Sequence, residues 1–152
     1  VSGTGAIASA ALAEDWSGWR RWGAPDGDNF LSVIGSGYAR SDAPGRAQVA
    51  LEVQPVHINR YGNLHGGFAA GFADHAYFIG LWAMGRKDQA GALTIDLSMQ
   101  YLDLGKVGVA MIADVELLKE TGKMMFLRMT IAQGDGLIAA STATLRKVPA
   151  PK

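Results

Sequence analysis

The chain contains no cysteine. Disulfides, thiolate metal sites and cysteine nucleophiles are therefore excluded, and the lack of disulfides suits a reducing, cytoplasmic compartment. Net charge is missing too, since 14 Lys and Arg balance 14 Asp and Glu. Basic residues adjoin only as pairs, Arg20-Arg21, Arg86-Lys87 and Arg146-Lys147, so there is no electrostatic footprint for a nucleic-acid partner. No Gly-x-Ser-x-Gly segment occurs, which argues against a serine nucleophile on a strand-to-helix elbow. Gly35-Ser36-Gly37 lacks a following helix pattern and is not a dinucleotide loop. No internal repeat or low-complexity linker divides the sequence. The start, "VSGTGAIASAALAED", lacks a basic leader region and is expected to be a mobile terminus.

What remains is an ordinary globular composition: 152 residues, 49% hydrophobic and 18% charged, enough for one domain with a real core. One apolar run, Gly66 to Gly85, is long enough to suggest a membrane span. It contains Asp74 and His75 and several glycines, with Arg86 and Lys87 at one end only. A helix enclosed by protein accounts better for the acid, so no membrane association is expected.

Along the chain, Trp16, Trp19 and Trp22 fall three apart, as on one face of a short helix. They would either cap a core edge or close over an apolar ligand. Phe30 to Ser36 reads as a strand, and Gln48 to Val53 alternates with Val49, Leu51 and Val53 on one face. The apolar run is free of proline and predicts a helix of about five turns. Four strands follow. In the first, Leu93, Ile95, Leu97, Met99 and Tyr101 face one way, with Thr94, Asp96, Ser98 and Gln100 opposite. Val109 to Leu117 comes next, then a stripe of Met125, Leu127, Met129 and Ile131, then Leu137 to Arg146. The predicted architecture is α+β, an antiparallel sheet wrapped around one long central helix. Residues 1–29 form a small-residue tail and Trp-rich segment, and 30–148 the domain.

Asp74 is the residue this architecture does not require, because an unpaired buried charge is costly. It would either serve chemistry or pair with Arg60, Arg86 or His75 for structure. Gly66 and Gly67 mark the helix start, where N–H groups lack internal partners and the dipole favours negative charge. They either hold an oxyanion there or only ease a tight corner. Asp74 lies two turns deeper, roughly 12 Å along the axis. One reacting carbonyl cannot touch both groups of a single helix. A twofold dimer would bring each helix start beside the other subunit's Asp74. Asn59 and His65 flank the turn, and each would either reach the mouth of the site or satisfy the loop backbone. Thr94 could hold a water or orient a carboxylate, or simply suit a strand. His57, His65 and His75 fit no compact ligand spacing, so no metal is expected. Leu81, Trp82, Met84 and the Trp16–Trp22 segment could shape either an aryl pocket or an aliphatic one.

The segment "HINRYGNLHGGFAAGFAD", with Asn59-x-x-Gly62-x-Leu64-His65-Gly66-Gly67 and an acid fifteen residues after the Asn, resembles the hot-dog fold acyl-CoA thioesterases, in particular the phenylacetate-pathway (PaaI-type) branch. The resemblance continues through "TIDLSMQYLDLGKVG", "ADVELLKETGKMMFLRMTI" and "DGLIAASTATL". It departs at Leu104, where many relatives carry proline, and before Phe30. It implies a single hot-dog domain, a homodimer with a continuous sheet, and often a homotetramer as a dimer of dimers. It further implies an acyl-CoA substrate and no cofactor beyond the coenzyme A of the substrate. Asp74 would be the catalytic base or nucleophile, and Gly66 N–H, with Gly67, the oxyanion donor. Asn59 and His65 would position thioester and water, with Thr94 helping to hold that water. Leu81 and Trp82 are kept as substrate contacts. A non-catalytic acyl-CoA binding or sensing module is the alternative.

Overall fold

The computed structural model describes residues 16–23 and 27–149. Their elements run β1 (Arg20–Trp22), α1 (Phe30–Ile34), β2 (Gly37–Ala43), β3 (Arg46–Glu52), a 3-10 turn (Pro55–His57), α2 (Gly66–Ala83), a second 3-10 turn (Asp88–Gly91), then β4 (Leu93–Tyr101), β5 (Ala110–Glu120), β6 (Met124–Gln133) and β7 (Gly136–Arg146). The seven strands form one antiparallel sheet in the order β1-β2-β3-β5-β6-β7-β4. The chain leaves the sheet after β3, runs through α2, and re-enters at the far edge as β4. Among the described residues no helix is long and apolar enough to cross a membrane.

Residues 66–83 form a helix because the run offers five turns without proline and begins at a side-chain cap, His65. Its core face is Phe68, Phe72, Ala73, Ala76, Tyr77 and Leu81, all buried. Against it lie Val49 and Leu51 of β3, Met111, Ala113 and Val115 of β5, and the stripe Met125, Leu127, Met129 and Ile131 of β6. Each fully buried side chain of this size contributes about 1.5–3 kcal/mol. Gly80 sets the distance of approach: a Cβ there would lie 3.0 Å from Val115 Cγ1. The one hydroxyl in this layer, on Tyr77, donates to Ser141 Oγ at 3.0 Å, so no polar atom of that pair is buried unpaired.

The N-terminal third differs from its sequence reading in two places. The Trp residues are not on a helix: Arg20–Trp22 is a strand paired with β2, Trp22 opposite Gly37. A Cβ on Gly37 would run into Ala50 O at 1.9 Å and the Trp22 ring at 2.9 Å, so only glycine fits between that backbone and the indole, whose N–H donates to Tyr38 O at 3.0 Å. Pairing with β2 overrides the three-residue spacing. Trp16 stacks on Tyr38 at 5.0 Å and meets Trp19 edge-on at 4.3 Å. The rings therefore line the sheet edge. Phe30–Ile34 is likewise a short helix and not a strand. Asn29 Oδ1 accepts from Leu31 N–H at 3.1 Å, and Gly35, at φ 95°, ends it. Five residues are too few for the apolar period to separate the two.

Glu52 sits at the end of β3 with 8% of its surface exposed, and its Oε1 has no partner among the described residues. Burial raises its pKa above the ordinary glutamate value, opposed by a hydrogen bond from Gln54. For an acid raised in the folded state, the penalty is absent while both states are protonated and grows as pH rises through the unfolded and then the folded pKa. Glu52→Gln is therefore expected to stabilise by on the order of 1 kcal/mol at neutral pH. The gain should vanish below the ordinary glutamate range. Thermal melts of both proteins across that interval check it.

Candidate active site

Residues 58–65 carry the chain into the helix. A bridge between Ile58 and Leu64 closes the loop, and Asn59 fixes its interior. Asn59 Oδ1 accepts from Tyr61 N–H at 2.9 Å and Asn63 N–H at 3.1 Å. Its amide NH₂ is left without a hydrogen-bond partner among the described residues. His65 is the N-cap, with Nδ1 accepting from Gly67 N–H at 2.9 Å and Phe68 N–H at 3.4 Å. A ring nitrogen that accepts two N–H groups carries no proton, so the donor of this imidazole is Nε2. Gly67 N–H is thus engaged inside the chain. Gly66 N–H is the first-turn donor left without an acceptor among the described residues.

Behind that donor stands a residue to which the sequence reading assigned no role. Tyr101, closing β4, donates its hydroxyl to Gly66 O at 2.6 Å. In the sequence it is one more member of an apolar strand stripe. The signal available was a hydroxyl at the end of that stripe. Tyr101, Gly66, Leu64, Gly105 and Ile138 border a cavity of about 200 Å³ at the helix start.

Asp74 is half-buried on the side of α2 that faces β4. Thr94 Oγ1 donates to its Oδ1 at 2.6 Å. Strict alternation had set Thr94 opposite Leu97 and Met99. The structure has a bulge between Thr94 and Asp96, so Thr94 pairs with Leu145, Leu97 with Ala143 and Met99 with Ser141. One extra residue reverses the parity, and Thr94 turns to the helix side with Leu97 and Met99. No ion pair among the described residues includes Asp74. Arg60 donates to Tyr61 Oη at 2.6 Å, and Arg86 is held by Asp88 and Glu120. A purely structural Asp–Arg pair is therefore not what the acid forms. With one oxygen fixed by a hydroxyl, the carboxylate keeps the other for a water proton or an electrophile.

The three histidines have separate surroundings. His57 is buried, its Nδ1 accepting from Gln54 N–H at 3.0 Å and its Nε2 donating to Val33 O at 2.6 Å. Burial holds its pKa below the usual histidine value. His75 lies against Trp22, ring centroids 5.3 Å apart, and burial lowers it as well, opposed by the neighbouring Asp74 charge. Among the described residues no three His, Asp or Glu converge as a metal would require. Leu81 lies wholly within the core. Trp82 is covered by the Arg20 guanidinium, 3.7 Å from its ring centroid. The half-buried apolar residue one turn from Asp74 on the same face is Phe78.

Comparison with known proteins adds to this geometry. Residues 61–140 match the family model described as the thioesterase superfamily. Human acyl-coenzyme A thioesterase 13 is 29% identical over 98 residues, 64% of this chain and 69% of that protein. Among solved structures, zebrafish thioesterase superfamily member 2 superposes with a TM-score of 0.71 at 24% identity, covering 82% of this chain and 90% of its own. The phenylacetic acid degradation protein PaaI of Thermus thermophilus, in a mutant form, gives a TM-score of 0.62 at 24% identity, over 80% of this chain and all of its own.

Proposed function

The chain belongs to the thioesterase superfamily, and from that premise we propose that it hydrolyses acyl-coenzyme A thioesters to free acid and coenzyme A. The observation that carries the reading is the Asp74–Thr94 contact, a carboxylate oriented by a hydroxyl and tied to no cation among the described residues. In this reading the thioester carbonyl accepts from Gly66 N–H, where the helix dipole favours the developing negative charge. Asp74 takes a proton from water or attacks directly, with Thr94 fixing which oxygen is free. Asn59 and His65 support the turn that aims Gly66 N–H, and their remaining Nδ2 and Nε2 donors face the thioester and water. Phe78, with Trp82 further along, flanks the acyl group. The acyl C–S bond then breaks, coenzyme A leaves as a thiolate that takes up a proton, and the chemistry calls on no metal or redox cofactor.

Two subunits complete each site in this reading. Gly66 and Asp74 of one regular helix are about 12 Å apart, so the N–H beside each Asp74 comes from a second copy. The free edge of β4, with Leu93, Ile95 and Tyr101 exposed, is the surface that supports such pairing, because an unpaired apolar edge strand invites a partner strand. A homodimer with a continuous sheet follows, and two dimers can associate as a tetramer. Thiol release from a panel of aryl, short and medium acyl-CoA thioesters tests the activity. Turnover of at least one class is expected. Tight binding without release from any of them would make the protein an acyl-CoA binding module instead.

A further inference from the structure

Phe30 opens α1 with 56% of its surface exposed, yet the helix that carries it is fixed at two points. Ile34 is buried in the core, and the His57 ring donates to Val33 O at 2.6 Å. A five-residue helix is too short to hold its own shape, so these anchors set where Phe30 lies. It lies on α2. A Cβ added to Gly71 would meet Phe30 Cε1 and Cζ, each at 3.1 Å. The ring edge therefore rests on the helix surface at a position without a side chain. Phe30 is absent from the buried cluster, and a ring left mostly in water gains little from burial. The core does not explain why an aromatic residue is held there.

The place on α2 is what gives it meaning. Gly71 lies one turn before Asp74 and on the same side of the helix. Phe78 lies one turn beyond Asp74, and all three are half-buried, on the face that the core leaves open. At helical rise, Gly71 and Phe78 are about 10 Å apart along the axis, with Asp74 between them. Side chains on a helix lean towards its N-terminus, so Phe78 leans towards Asp74 and shortens that interval. Phe30 and Phe78 thus bound a short stretch of helix surface whose middle is the candidate catalytic carboxylate. A short acyl group fits within it. A long chain running along the helix would meet the Phe30 ring.

We propose that Phe30 is a specificity-determining residue, an end wall seated on Gly71 that excludes long acyl chains from the site at Asp74. The inference rests on the thioesterase reading of that site and narrows its substrate class. A wall acts by shape, so truncating it and enlarging it move selectivity in opposite directions. A residue that only supported the fold would change turnover of every substrate alike.

The test compares wild type, Phe30→Ala and Phe30→Trp on butyryl-CoA and lauroyl-CoA, with sedimentation of the same preparations. Phe30→Ala should raise kcat/KM for lauroyl-CoA relative to butyryl-CoA about ten-fold, since methylenes once turned away can be buried. Phe30→Trp should lower the same ratio. A ratio unchanged in both variants overturns the proposal. So does an equal fall for both substrates, or loss of the dimer at an unchanged ratio, each of which would make Phe30 a packing residue. If wild type hydrolyses no acyl-CoA, the thioesterase reading fails by itself, and calorimetry with the two thioesters still decides the wall. About a ten-fold relative gain in lauroyl-CoA binding by Phe30→Ala supports it. An unchanged ratio, or no binding of either thioester, overturns it.

Discussion

Asp74→Asn is expected to lower kcat by about three orders of magnitude, with the fold and KM nearly unchanged. The substitution preserves shape, and the amide oxygen of asparagine can still accept from Thr94 Oγ1. What is lost is the ability to take a proton or attack a carbonyl. Because no cation pairs with Asp74 among the described residues, neutralising it strands no buried partner. Stability should therefore stay within about 0.5 kcal/mol of wild type. Steady-state kinetics and a denaturant melt on the same preparation separate the two effects. Near-normal turnover would remove Asp74 from the chemistry.

Gly66→Pro should reduce kcat by about 10²–10³, the usual consequence of losing one oxyanion donor. Proline is normally a crude replacement, but this position accommodates it. Gly66 is the first residue of α2, where proline's fixed φ suits the helix and its missing N–H breaks no intrahelical bond. The preceding residue, His65, already has φ −69° and ψ 128°, the extended region that a following proline demands. A Cβ would sit 3.4 Å from the Tyr101 ring, an ordinary contact. Circular dichroism should report an intact helix beside the kinetic defect. Gly66→Ala, which keeps the N–H, is the control and should lose much less.

The central architecture was legible because two periods were long and clean. The apolar run without proline marked α2 almost to its ends, Gly66–Ala83. Met125, Leu127, Met129 and Ile131 alternate with exposed neighbours along β6, as a half-buried strand should. The N-terminal third was not legible, because elements this short carry barely more than one period. Arg20–Trp22 is a strand only because β2 and Gly37 receive it, and Phe30–Ile34 is a helix only because Asn29 caps it.

At the candidate site, Asp74 announced itself as an acid in an apolar run, and the His65-Gly66-Gly67 start showed where free N–H groups would be. Thr94 was named, but on the wrong face: a one-residue bulge, invisible in an alternating pattern, is what turns its hydroxyl onto the carboxylate. Tyr101 was missed for a related reason, since an apolar stripe does not reveal that its last member anchors Gly66. The division of labour at the helix start also needed coordinates. Only the observed cap shows that His65 takes the Gly67 N–H and leaves that of Gly66.

The central claim is that each site joins Asp74 of one subunit to the helix start of another. Mixing subunits tests it most directly. Asp74→Asn and Gly66→Pro proteins, each nearly inactive alone, would be co-refolded and assayed on the best acyl-CoA thioester. Random pairing makes half of the dimers mixed, and each mixed dimer has one site free of both substitutions. The account predicts recovery to about a quarter of wild-type activity. Activity that stays at the level of the separate mutants, with mixed dimers demonstrably formed, would contradict it.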